Sequence, residues 1–231
     1  MTTPERAVVI SPITTGQVRM TGTESAPLWR GRLHLAAFVL AVPAAVAVAW
    51  REQAIAVDVY ALALMGLFGT SSAYHLWPMP AGRRQVIRRM DHAMIYLYIA
   101  AAYTPFCLDV LRGTLGEVVL ALVWCGAAAG MFVKLLAFRR INAVAGALYL
   151  VLGWIAALTL PELFRRLGAV DVTLMVVMGL LYTGGVVVLA LRTPDPLPKV
   201  FGYHEVWHAA VVLACACYFV VIWNLPGITP H

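Results

Sequence analysis

Apolar residues run in long blocks along this chain, at about 33–50, 53–77, 90–111, 116–137, 141–160, 170–191 and 201–225, with short polar breaks between them. Each block is long enough to cross a hydrocarbon layer of about 30 Å as a helix, the conformation that satisfies its own backbone hydrogen bonds in lipid. The pattern predicts an all-α bundle of seven transmembrane helices over residues 32–226. Residues 1–31 mix Thr, Pro, Gly and Arg around a short apolar stretch, Ala7 to Ile10, too short for a signal-peptide core. They are expected to form a mobile cytosolic tail, with residues 227–231 as a C-terminal tail.

Composition supports a lipid environment. Of 231 residues, 62% are hydrophobic and 12% charged, against roughly a quarter charged in an ordinary soluble domain. A soluble core of this size does not absorb that much apolar surface, whereas a bilayer does. The formal charge of +6 does not point to nucleic acid, because the basic residues lie in the breaks between apolar runs and form no single patch. Their distribution sets a topology. With seven alternating crossings, thirteen of the 17 Lys and Arg fall on the side of the first tail, and the other side holds only Arg51, Arg112, Arg165 and Arg166. The positive-inside rule then predicts a cytosolic N-terminus and an external C-terminus, in a multi-pass protein of the plasma membrane.

Two further patterns concern packing. Small residues cluster in the fourth span (Gly126, Ala127, Ala128, Ala129, Gly130) and the sixth (Gly179, Gly184, Gly185), which lets helix backbones approach closely. Pro194 to Pro198 keep the sixth and seventh helices from merging. The four cysteines, Cys107, Cys125, Cys215 and Cys217, all lie in apolar runs, where they are expected to behave as small buried hydrophobes. Cys215 and Cys217 point about 200° apart on a helix and do not share a metal ion.

Ionisable residues inside spans are expensive and mark functional candidates. Four stand out: His75 near the end of span two, Asp91 at the start of span three, and His204 with His208 at the start of span seven. The pair in His204-Glu205-Val206-Trp207-His208 is four residues apart, which stacks both imidazoles on one helical face. The alternative makes one of them a packing residue and the other a loop residue. The topology favours a shared site, since the alternating crossings place all four residues at the cytosolic ends of their spans. Three imidazoles with an open fourth position form the arrangement expected of a catalytic zinc, which lowers the pKa of a coordinated water to about 7. Asp91 is then placed to act as general base. A His-Glu-x-x-His metalloprotease is disfavoured, because a third downstream ligand is lacking and the motif opens a transmembrane span; Glu205 stays open as a base or supporting group.

Other polar residues receive structural readings. His92 points about 100° away from Asp91 and is expected to support or pack. Asp58 and Asp109 are expected at the outer interface, and Lys134 is expected to snorkel to the cytosolic headgroups.

Three blocks together resemble a family pattern: Ser71-Ser72-Ala73-Tyr74-His75; Met90-Asp91-His92-Ala93 followed by Tyr103-Thr104-Pro105; and His204-Glu205-Val206-Trp207-His208. The chain resembles the hemolysin III branch of the progestin and adipoQ receptor (PAQR) superfamily, and the resemblance covers about residues 30–225. It implies zinc held by His75, His204 and His208, with Ser71 and Asp91 beside the metal-bound water. Ser71 stands one turn before His75 on the same helical face; the plainer reading bonds its hydroxyl back to its own helix. The family usually carries an acidic and amide-bearing block before the first span. Here Pro27 to His34 contain neither Glu nor Asn, so His34 is left outside the site.

Three functions follow as expectations. The first, extending the resemblance to ceramidase-like relatives, is a zinc-dependent hydrolase of a lipid amide or ester, with membrane lipids as partners. The second is a non-enzymatic sensor or regulator in which zinc ties helices together. The third, cytolysis, is the weakest physically, because a secreted cytolysin needs a soluble state and an export signal.

Overall fold

The computed structural model describes residues 27–136 and 142–225. Most of the expected N-terminal tail, to residue 26, and the C-terminal tail lie outside the described residues.

The helices are α1 (Arg32–Glu52), α2 (Ile55–Leu76), α3 (Ala81–Pro105), α4 (Gly113–Leu136), α5 (Asn142–Trp154), α6 (Leu160–Arg166), α7 (Ala169–Leu191) and α8 (Tyr203–Asn224). A π-helical segment, Phe106–Leu111, prolongs α3, and a 3₁₀ turn, Ile155–Thr159, links α5 to α6. The α5–α6 unit crosses as one rod from Gly146 to Arg166, so seven apolar helical segments are long enough to span a membrane. The chain is a seven-span all-α membrane bundle, as the apolar blocks predict.

One boundary differs. The third helix begins at Ala81, nine residues before the apolar run starts at Met90. The added turns carry Arg83, Arg84, Arg88 and Arg89, which a hydropathy pattern assigns to a loop. Arginine and glutamine are good helix formers, so propagation continues outward until Pro80 stops it. The arginines also find partners there: Arg84 lies over the Tyr74 ring at 5.1 Å, and Arg89 Nη1 donates to Leu135 O at 3.0 Å.

Tyr60 on α2 and Tyr96, Ala100 and Ala101 on α3 are completely buried, which places these two helices in the bundle's interior. Small residues bring neighbours close as expected. A Cβ added at Gly130 of α4 would stand 2.2 Å from Tyr96 Cε1, and one at Gly185 of α7 would stand 2.7 Å from Trp207 Cε3. Gly184, by contrast, meets nothing within 4 Å.

Three expectations about single side chains are corrected. Lys134 does not snorkel: it is 3% exposed, folded at the end of α4 with Nζ 5.9 Å from the centre of the Tyr149 ring, whose face receives the cation. Asp109 is half-buried in the π segment rather than freely exposed. Of the four free cysteines only Cys107 and Cys215 are buried; Cys125 is exposed on the outer surface of α4 and Cys217 is intermediate.

Residues 27–31 lie across the segment that leads into α8. The Leu28 amide donates to Lys199 O at 3.0 Å and the Trp29 amide to Val200 O at 3.1 Å. This strap crosses the bundle end where α2 finishes and α8 starts.

Candidate metal centre

His75 occupies the last turn of α2, and His204 and His208 lie on the first two turns of α8. Their rings converge: the centroids are 5.1 Å apart for His75 and His204, 5.0 Å for His75 and His208, and 4.6 Å for His204 and His208. One nitrogen from each ring lies within 4.8 Å of the others. The helical i, i+4 spacing supplies two of the three, and the position of the last turn of α2 beside the start of α8 supplies the third. Neither His204 nor His208 is a loop residue.

Donor chemistry and spacing fit a metal ion. His204 Nε2 and His208 Nδ1 are buried without a hydrogen-bond partner, an expensive arrangement in apolar surroundings unless something else takes the lone pairs or protons. Two nitrogens on one tetrahedral zinc stand about 3.4 Å apart. Small rotamer adjustments therefore bring the set to coordinating distance. A neutral imidazole is a good donor for zinc and other divalent transition metals.

Glu205 is resolved by the structure. Its side chain is fully buried, and both oxygens are engaged: Oε1 accepts from Arg30 Nε at 2.5 Å, and Oε2 accepts from the Gly202 amide at 2.9 Å. It closes the first turn of α8 and fastens the strap to it. A carboxylate committed in this way anchors the histidine helix; it is not a free base. Gly31 completes the strap. Its φ of +77° suits glycine, and a Cβ there would stand 2.6 Å from His75 Cβ.

Ser71 and Asp91 meet beside the cluster. Ser71 on α2 faces the Asp91 carboxylate on α3 closely enough for the two to interact electrostatically. Its neighbours behave differently: Thr70 Oγ1 donates to Gly66 O and Ser72 Oγ to Phe68 O, each at 2.8 Å and within α2. Ser71 is thus the one hydroxyl of the three that faces the third span. Asp91 itself stands outside the three-nitrogen group. His92 lies beside Asp91, its Nδ1 3.6 Å from Asp91 Oδ2 and donating to Arg88 O at 2.8 Å, and its backbone carbonyl accepts from the Tyr149 hydroxyl at 3.0 Å. Its expected supporting role agrees with this placement.

His34, which the sequence leaves outside the site, is also outside the three converging nitrogens but packs against them. This α1 residue is 4% exposed, and its ring lies parallel to His208, with centroids 3.9 Å apart and planes inclined by 6°. The loss of the acidic and amide residues before it removed the signal that would have drawn attention to this histidine.

An apolar cavity of about 160 Å³ opens deeper in the bundle. Its lining includes Ile95, one turn beyond Asp91, Trp207, adjacent in sequence to His208, and Tyr103 and Phe106 farther along, but none of the three converging histidines. Spans five and six close its outer side through Trp154 and Tyr182.

Comparison with known proteins agrees with the sequence blocks. The family described as Haemolysin-III related matches residues 23–219. Hemolysin-3 of Bacillus cereus is 30% identical over 174 residues, which cover 74% of this chain and 76% of that protein. A Hemolysin-3 homolog of Bacillus subtilis (strain 168) is 31% identical over 136 residues, 59% of this chain; the match spans 61% of that relative's length. The human protein named Monocyte to macrophage differentiation factor is 26% identical over 170 residues, covering 72% of this chain and 68% of its own.

Proposed function

The chain belongs to the haemolysin-III-related family of multi-pass membrane proteins, and from that premise we propose that it holds zinc through His75, His204 and His208 and hydrolyses an amide or ester bond of a membrane lipid. The observation that carries the reading is the convergence of three imidazole nitrogens within 4.8 Å of one another. The excess of Lys and Arg on one side of the bundle favours the cytosolic leaflet of the plasma membrane for this end.

Zinc held by three histidines supplies a Lewis acid that polarises a carbonyl and lowers the pKa of coordinated water. The protein's own residues do the rest. Asp91 is the proton acceptor, with Ser71 facing its carboxylate. The cavity walls at Ile95, Trp207 and Tyr103 take an acyl chain and keep bulk water from the reacting end. Arg30 and Glu205 hold the strap and the start of α8 together, which keeps His204 and His208 in register with His75.

The test is release of free fatty acid from long-chain amide and ester lipids by the detergent-purified protein, with Asp91→Ala alongside. Loss of hydrolysis with zinc retained is the expected result. A second reading, a zinc that only ties helices together, is favoured by the burial of His208 and the strap that covers His75. Under it, Asp91→Ala changes nothing, and His75→Ala lowers thermal stability without a catalytic readout.

A further inference from the structure

We propose that His34 is a positioning residue of the metal centre, acting through its ring face to set the plane of the His208 imidazole and so the aim of its ligand nitrogen. The inference rests on the metal-binding reading above and adds a residue from the first span to it.

Three observations lead there. The His34 and His208 rings are almost coplanar in orientation, 6° apart, with centroids at 3.9 Å, so the two faces are in contact. The His34 ring also makes an edge contact with Phe68 on α2, at 5.2 Å between centroids. Neither nitrogen of His34 makes a hydrogen bond, although both are buried. The contacts that hold this side chain in place are therefore those of its ring, with Phe68 on α2 and His208 on α8.

The same geometry excludes direct ligation. A metal ion binds an imidazole in the ring plane, and an ion in the plane of His208 lies about one stacking distance above the plane of His34. His34 accordingly falls outside the group of converging nitrogens. Its effect on the ion passes through His208. Residues that fix the orientation of a ligating imidazole change metal affinity by about 10–100-fold when removed. The stacked face of His34 lies against the His208 ring and gives it the orienting contact that a carboxylate or carbonyl gives in other histidine sites. The face also suits the charge that His208 shares once it holds a cation.

The decisive variants are His34→Phe, which keeps a flat face, and His34→Leu, which fills the volume without one. Full-length protein in detergent is stripped of metal and titrated with Zn²⁺ alone, and the visible ligand-field spectrum is recorded with Co²⁺. The expected result is Zn²⁺ affinity within about threefold of wild type for the Phe variant and about tenfold weaker for the Leu variant. The Co²⁺ bands should shift in the Leu variant only. Equal losses in both variants, or wild-type affinity in the Leu variant, would overturn the proposal while leaving the three-histidine site standing. If the Leu variant is not monodisperse, the Phe variant decides: an unchanged Co²⁺ spectrum supports the ring-face role and an altered one refutes it. Failure of the wild type to bind either metal removes the reading beneath the inference, an outcome separate from all of these.

Discussion

Spans two and three differ from spans five and six in what their surroundings demand. Within the most apolar stretch of each helix, 56% and 61% of residues are buried in spans two and three, against 17% and 11% in five and six. The inner pair carries His75, Ser71 and Asp91, and its polar atoms meet protein on every side. The outer pair presents Leu158, Val170 and Leu180 outward, each well over half exposed, and closes the cavity with only a few aromatic contacts. Rigid packing therefore coincides with the candidate chemistry, while the loosely packed helices border the space assigned to a lipid chain.

That contrast can be broken from the inner side first. His75→Ala or His208→Ala removes one of three nitrogen donors, and zinc content of the purified protein is expected to fall from about one per chain to near zero. Gly130→Leu comes next. The added side chain would run into Tyr96, and overpacking of this kind costs about 1–3 kcal/mol or more, read as a lower melting temperature in a detergent-solubilised thermal shift assay. Glu205→Ala should cost about 2 kcal/mol by the same assay, less than a fully buried pair because Arg30 remains a quarter exposed and can turn to water. It should also weaken zinc binding, since the start of α8 loses its anchor. On the outer side, Gly184→Ala and Leu180→Ala are expected to stay within about 0.5 kcal/mol of wild type. A large effect from either outer change would mean that spans five and six pack against something beyond the described residues.

Legibility in the sequence followed the same division. Helices solvated by lipid write their length into hydropathy, so all seven spans could be read directly. His75, His204 and His208 were legible because an ionisable residue inside an apolar run is conspicuous and because counting crossings places the three at one end. Features set by tertiary contact were not. The outward extension of α3 is polar, and its helicity shows only in helix propensity and in Pro80. Lys134 looks like an interfacial lysine until the Tyr149 ring is seen beside it. Glu205 reads as half of a protease motif, and only the positions of Arg30 and Gly202 reveal that both its oxygens are taken. His34 lost its neighbouring family residues, so nothing local distinguished it from a packing residue; its partner lies 174 positions away in sequence.

The account depends first on the metal. Zinc content of the detergent-purified wild-type protein, measured by mass spectrometry beside His75→Ala and the double change of His204 and His208 to Ala, tests it most directly. The account predicts about one zinc per chain in the wild type and none in either variant. A wild-type protein that remains folded and monodisperse yet carries no zinc, and takes up none when it is supplied, would contradict it.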